Sequence, residues 1–376
     1  VTDYDYIFVG AGVAGLTTAR AIARRQPDVA LAMIDPRLDR REHHTFGYWY
    51  EGDSLLPEQV GRSWNRWTIS APGSEVVVDL GPWRYETFEL QSWKDAVTSE
   101  LDALADVSWI DARVAGIDED RASVTVETGD ARTLNGRWVF DSRPCDPPDG
   151  AKLVLWQSFR GQQLRLDDDA DNRDELRLMD FRRRPEVVEF EYVVPLDERT
   201  VFVESVLASR TPPEGKDDFE LESYIAEHFP DHEVVATEGG RTALTTANYE
   251  RRAGRRTVNI GLRGGAARPS TGYAFVDIHR EAEAIADALV ETGEPWGRSG
   301  RRRRDQFLDG VLLTLLAEHP ERAPDVFVQL FQNARTDRVL RLLDNRATWP
   351  DIVAVAWALP WILFLRAFWS WLVRYR

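Results

Sequence analysis

Apolar and polar positions change their period several times along this chain, and each change marks an element. Residues 5–10 form a short apolar run, Val13 to Arg25 carries helical spacing, and 30–35 (ALAMID) is apolar again. The order strand, helix, strand predicts a β-α-β unit and a parallel pair, since parallel neighbours need a crossover. A helical pattern follows at 91–104, a hairpin around Gly129-Asp130 and a strand at 137–142 (RWVFDS). From 151 to about 254 the period falls to two, with EVVEFEYVVPL and TVFVESVLA joined by a turn at Asp197-Glu198. That pattern predicts a β-rich second unit. Residues 257–273 (TVNIGLRGGAARPSTGY) return to a strand and a glycine-rich loop, then a helix runs through about Thr292. The chain from Arg301 onward reads as helical, and DPPDG and RTPPEGKDD are the clearest linkers.

Composition adds limits rather than a function. A chain of 376 residues, 43% hydrophobic and 29% charged, is an ordered protein of two or three domains. Its net charge of −16 argues against a nucleic-acid partner, because phosphate contacts need clustered Lys and Arg. Basic residues do cluster at Arg301–Arg304 and in the closing WLVRYR. The lone Cys145 allows no intramolecular disulfide. VTDYDYIFVG lacks the basic n-region of a secretion signal. The six histidines, 43, 44, 228, 232, 279 and 319, show no metal-ligand spacing, and no metal site is expected.

No uninterrupted apolar run reaches the length of a membrane span. The nearest, residues 352–365, is broken by Pro360 and followed by Arg366. Trp361, Trp369 and Trp371 lie close together, edged by arginines, a composition that suits the lipid–water boundary. The alternative is a C-terminal helix packed on its own domain.

GAGVAG, with Gly10, Gly12 and Gly15, stands between the first strand and the first helix, the context a dinucleotide fingerprint requires. The first glycine permits the tight turn, the second lets backbone approach a pyrophosphate, and the third lets helix and strand pack closely. The helix N-terminus then faces the phosphates with its partial positive charge. Asp35 closes the second strand, where a carboxylate bonds ribose hydroxyls. A second glycine-rich loop, with Gly261, Gly264, Gly265, Thr271 and Gly272, favours FAD over NAD, because flavin folds return to the cofactor with a distant segment. The other reading of that loop is an ordinary strand-to-helix connection.

Residues 201–209 (VFVESVLAS) hold a carboxylate in a strand with two apolar faces. Alternation puts Glu204 with Phe202 and Val206, and Ser205 with Val201 and Val203. An acid there is either the partner of a buried arginine or a functional proton donor.

Taken together, VGAGVAGL, HHTFGYW, MDFR, VFVES, TEGGR, NIGLRGGAARPSTGY and the helical tail FQNARTDRVLRLLDNRATWPDIVAVAWALPW resemble the flavin-dependent lycopene cyclases over nearly the whole chain. The resemblance implies an α/β, glutathione-reductase-like FAD-binding (Rossmann-type) fold with a β-rich substrate domain and a helical C-terminal region. Residues 1–150 with 255–300 would bind FAD, 151–254 would form the substrate domain, and 301–376 would carry a membrane-contacting tail. It further implies lycopene as substrate, peripheral attachment at the cytoplasmic side of a membrane, and a non-redox cyclisation that needs FAD reduced by NAD(P)H. Relatives carry two adjacent acids and a threonine in this strand, as EDT or EET; here Glu204 is followed by Ser205 and Val206. Glu204 is thus the expected catalytic acid. A flavin monooxygenase or polyprenyl reductase is the competing enzyme reading, against which IGLRGG lacks the usual Asp after Gly261. A non-enzymatic prenyl-chain carrier is the third.

Overall fold

The computed structural model describes residues 2–56, 58–167, 175–182, 184–215, 219–297 and 302–375. Arg301, Arg376 and the last three residues of the RTPPEGKDD linker lie outside them. β1 (Thr2–Val9), α1 (Val13–Arg25) and β2 (Ala30–Ile34) form the expected unit, with β1 and β2 parallel. Then come β3 (Thr45–Glu51), β4 (Arg62–Trp64), β5 (Arg66–Ala71), β6 (Ser74–Asp79), β7 (Trp83–Glu89) and α2 (Leu90–Leu104). After β8 (Asp106–Ile110), β9 (Val114–Glu119), β10 (Val124–Thr128) and β11 (Thr133–Asp141), the long strand β12 (Leu155–Leu166) opens the β-rich part. It continues through β13 (Arg177–Arg182), β14 (Val188–Pro195), β15 (Thr200–Ser209), α3 (Leu221–His228) and β16 (His232–Leu244).

One sheet runs β8-β2-β1-β11-β10-β9. β10 covers only the first half of β11; along the second half its place is taken by β17 (Thr257–Asn259), parallel to β11. Val9, Asp141 and Asn259 therefore end three neighbouring strands in register. Ligands of open α/β sheets bind beyond such carboxyl ends. Helix α4 (Phe275–Thr292) packs beside α1, and both bury an apolar stripe in one core with β1, β2 and α2.

The second sheet runs β16-β12-β15-β14-β13-β5-β6. Residues 66–79, counted with the cofactor-binding unit in the sequence reading, thus supply two strands to this second sheet, β5 lying parallel to β13. Local periodicity reveals a strand but not which distant strand it pairs with. One face of this sheet packs on α3. The other shares the largest core with the C-terminal helices α5 (Arg303–Glu318), α6 (Ala323–Asn333), α7 (Thr336–Leu343), α8 (Trp349–Ala358) and α9 (Trp361–Ser370). Full burial of one large apolar side chain contributes about 1.5–3 kcal/mol, so this helical layer is a structural half of the domain. The third sheet, β3-β7-β4, bridges the other two.

A buried ion pair fixes the helical layer to the late glycine-rich loop. Arg268 donates to Asp309 of α5 at 2.9 Å and to the Leu342 carbonyl at the end of α7 at 2.8 Å, while Ser270 donates to the same Asp309. Arg268 and Asp309 are both buried. Arg268→Met is expected to strand that carboxylate and cost about 3–5 kcal/mol, read as a large fall in the midpoint of denaturant unfolding.

Candidate active site

The fingerprint has the geometry that its glycines require. Gly10 has φ of 109°, and a Cβ on Gly15 would lie 2.0 Å from the Gly10 carbonyl oxygen, so helix and turn touch there. Nothing lies within 4 Å of a Cβ on Gly12, which leaves that side open. No side chain caps α1 and its first turn holds no acid, so its N-terminal N–H groups are available to an anion. Asp35 accepts the Ala11 N–H at 3.0 Å and the Arg37 N–H at 2.9 Å, one on each oxygen. A carboxylate has about four acceptor positions, so lone pairs remain for ribose hydroxyls.

The distant loop does return to this turn. Gly261 has φ of 62°, and a Cβ there would sit 2.4 Å from the Cβ of Ala14 in α1. Thr271 Oγ1 is buried without a protein partner, a hydroxyl left for a ligand. Gly272, with φ of 75°, lies against Gln157 of β12 and so meets the second sheet. Gly264 and Gly265 stand apart from these: they line a polar cavity of about 490 Å³ with Tyr249 and Arg280, and none of Gly10, Gly12, Gly15 or Asp35 borders it. The residues present fit a dinucleotide whose pyrophosphate lies at α1 and whose far end reaches Thr271 and Gly272.

Tyr273, the next residue, leads to Glu204. The Tyr273 ring packs on Trp49 with centroids 4.1 Å apart, and burial together with the nearby Glu204 pushes the half-buried Tyr273 and the buried Tyr192 phenols above their ordinary values. Tyr192 is also the cross-strand neighbour of Glu204 on β14, and its hydroxyl has no partner. Among the described residues Glu204 has no hydrogen bond and no ion pair. Burial pushes its carboxyl well above the carboxylate range, and the neighbouring Glu238 acts in the same direction. The side chain nevertheless keeps some exposed surface. The arginine partner that a structural acid would need is not there.

The arginines serve the opposite face. Ser205 is fully buried and shares its hydroxyl between Glu189 and Glu191, at 3.2 and 3.3 Å. Arg184 pairs with Glu189 at 2.7 Å and Arg182 with Glu191 at 3.6 Å. Burial, then the charge of Glu189, raises Glu191 to about 8. An acid at position 205, as in the resembling family, would here be a third carboxylate in this cluster and would not share a face with Glu204. His44 belongs to the site, pairing with Glu238 at 3.6 Å. No group of metal-ligating side chains exists among the described residues. Sequence reasoning missed Tyr192, Tyr273 and Glu238, and weighed His44 equally as a loop or an active-site residue; the four converge from separate segments.

The fold has close parallels. A geranylgeranyl bacteriochlorophyll reductase-like protein of Thermoplasma acidophilum superposes with a TM-score of 0.63 at 14% identity, over 97% of this chain and 98% of that one. The halogenase PltM, solved in complex with phloroglucinol and FAD, gives 0.59 at 12% identity, over 94% and 85%. The architecture is the Rossmann-type FAD-binding fold of flavoproteins, with a β-rich domain and a helical C-terminal region. Within that class, residues 5–368 match the family described as lycopene cyclase protein, and the chain belongs to it. Lycopene beta-cyclase of Pantoea ananas is 26% identical over 170 residues, or 43% of this chain and 41% of that protein. The aligned stretch therefore spans about two-fifths of that relative.

The unpaired acid has a cost that depends on pH. Glu204 stays protonated in the folded protein above about pH 4.3, where the unfolded chain ionises it. Stability therefore falls as pH rises past that point, by about 1.4 kcal/mol per unit until the folded group also ionises. Glu204→Gln is expected to unfold at higher denaturant concentration than the parent at pH 7, with the two converging near pH 4.

Proposed function

We propose that the chain cyclises the acyclic ends of lycopene by acid–base chemistry, forming β-ionone rings, with Glu204 as the acid. The observation that carries this reading is an enclosed carboxyl without a cation partner among the described residues, set among aromatic rings on one face of the long sheet. A hydrocarbon offers no hydrogen-bonding group, so its recognition is apolar and its activation needs a strong acid in a dry place. Glu204 donates its proton to the terminal alkene, the neighbouring double bond closes on the cation, and loss of a proton from the ring restores an alkene. Atoms and electrons balance with no redox change. The Phe202, Tyr192, Tyr273 and Trp49 rings present π faces to the transient cation. Gly10, Gly12, Gly15 and Asp35 would hold the phosphates and ribose of FAD, with Thr271 and Gly272 toward its flavin end. When bound and reduced by NAD(P)H, the flavin supplies negative charge that favours a cation nearby.

The test is the mass of the product in lycopene-producing cells that express the protein. A ring-bearing product of unchanged mass is expected, and Glu204→Gln should lower its formation by about 10²–10⁴-fold while flavin content stays constant. Added hydrogen or oxygen would place the protein with the reductases or monooxygenases instead. A flavin-free protein would favour the prenyl-chain carrier, and a Glu204→Gln enzyme of near-parental rate would remove this acid from the mechanism.

The same reading includes attachment to a membrane surface, on the cytoplasmic side. No single described helix is long and apolar enough to cross a membrane; α8 and the final helical segment meet at 113° around Pro360. In support, the pair leaves Trp357 85% exposed, along with Trp361, Trp369 and Val373, with Arg366 and Arg374 close by in sequence. Exposed indoles and cations suit the interface. Removing residues 352–376 would also take away Ala367 and Trp371, which are buried, so substitution is the cleaner test. Replacing Trp357, Trp361 and Trp369 by Ser is expected to lower co-sedimentation with anionic vesicles at unchanged melting temperature. Equal co-sedimentation would overturn the assignment.

A further inference from the structure

The strand with Glu204 lacks the second acid of its relatives, yet the sheet supplies one from elsewhere. Gly161 on β12 is the cross-strand partner of Glu204 on β15 and, on its other edge, of Glu238 on β16. Directly opposed residues share a face of a sheet. Tyr192, Glu204, Gly161 and Glu238 therefore form one row across four strands, and the glycine between the two acids has no side chain to separate them. A Cβ on Gly161 would lie 2.5 Å from the Phe202 ring and 3.2 Å from Cγ of Glu238. The space over Gly161 is thus filled by the ring beside one acid and the stem of the other.

Glu238 is held rather than free. Its side chain is only 5% exposed, it accepts the Thr45 N–H at 2.9 Å, and His44 lies 3.6 Å from its other oxygen. His44 is 32% exposed and reaches solvent. The hydrogen bond and charge of Glu238 raise the His44 pKa. The titratable groups facing Glu204 are Tyr192 from β14, Tyr273 from the late loop and Glu238 from β16; behind Glu238 stand His44, Glu42 and Arg37.

We propose that Glu238 is the second carboxylate of this site, a positioning residue that keeps the proton on Glu204, while His44 connects the pair to solvent for proton exchange. The proposal rests on the reading of Glu204 as the acid. A like charge nearby disfavours ionisation, so Glu238 keeps Glu204 in its donor form. Glu204 sits among hydrocarbon walls, and His44 with Glu238 is a polar route by which it exchanges protons with water between turnovers. No oxidant, reductant or further reactant is needed, because each transfer moves one proton between carboxyl, imidazole and water.

The test needs neither flavin nor substrate. The infrared carbonyl band of the protonated Glu204 carboxyl, identified by its loss in Glu204→Gln, is titrated in the parent protein, Glu238→Gln and Glu238→Asp. Glu238→Gln keeps an acceptor for the Thr45 N–H but removes the charge, so the band should disappear at a pH lower by roughly one unit. Glu238→Asp keeps the charge and should hold the parental midpoint. His44→Gln, outside the sheet, removes the polar route to solvent and should slow exchange of the carboxyl proton for deuterium, read as a slower isotope shift of the band, and it serves if Glu238→Gln does not fold. In parallel, the alkaline limb of cyclisation should move with the band. An unchanged midpoint in Glu238→Gln, or an unchanged exchange rate in His44→Gln where the former does not fold, overturns the proposal. Glu204 still stands as the acid in that case if Glu204→Gln is inactive. Full activity of Glu204→Gln removes the acid itself, whatever the band does.

Discussion

The parallel pairing of β17 with the second half of β11 is the constraint on which the rest of the molecule depends. Three hydrogen-bonded positions, ending at Asn259 beside Asp141 and Val9, return the chain to its own beginning after more than a hundred intervening residues. Closing so long a loop costs entropy that grows only slowly with length, and the fully buried Val258 and Ile260 help to offset it. Once β17 is seated, Gly261 must rest on Ala14 and the following loop must run across the sheet ends. That loop carries Thr271 and Gly272 to the edge of β12, sets Tyr273 by Glu204, and through Arg268 ties on the helical layer. Glycine turn, acid and C-terminal helices are thus positioned from one short strand.

The long seven-stranded sheet that carries Glu204 divides its charges by face. Outward, Glu189 and Glu191 are buried but matched by Arg184, Arg182 and the Ser205 hydroxyl. Inward, Glu204 has no cation among the described residues. The acids of the two faces therefore differ in their partners, because one face was given arginines and the other aromatic rings. A buried group without compensation costs stability, and such costs collect where a site needs them. The molecule accepts an acid it cannot neutralise by pairing, and the burial that penalises its anion is what keeps the proton on it.

The sequence determined much of this by itself. The β-α-β opening with GAGVAG, the hairpin at Gly129-Asp130, the antiparallel β14 and β15, the helix after PSTGY and the helical C-terminal region all follow from local period and turn chemistry. So does the presence of an acid at 204 between two apolar faces. Only the tertiary structure decided which partners these elements meet. The pattern of residues 66–79 does not say that they pair with β13. Nor does TEGGR say that Glu238 lies one glycine away from Glu204, because that depends on the register of β12 with two strands at once. Side-chain period is a local property of the backbone, whereas register, cross-strand neighbours and the absence of a counter-charge are set by segments that sequence distance keeps apart.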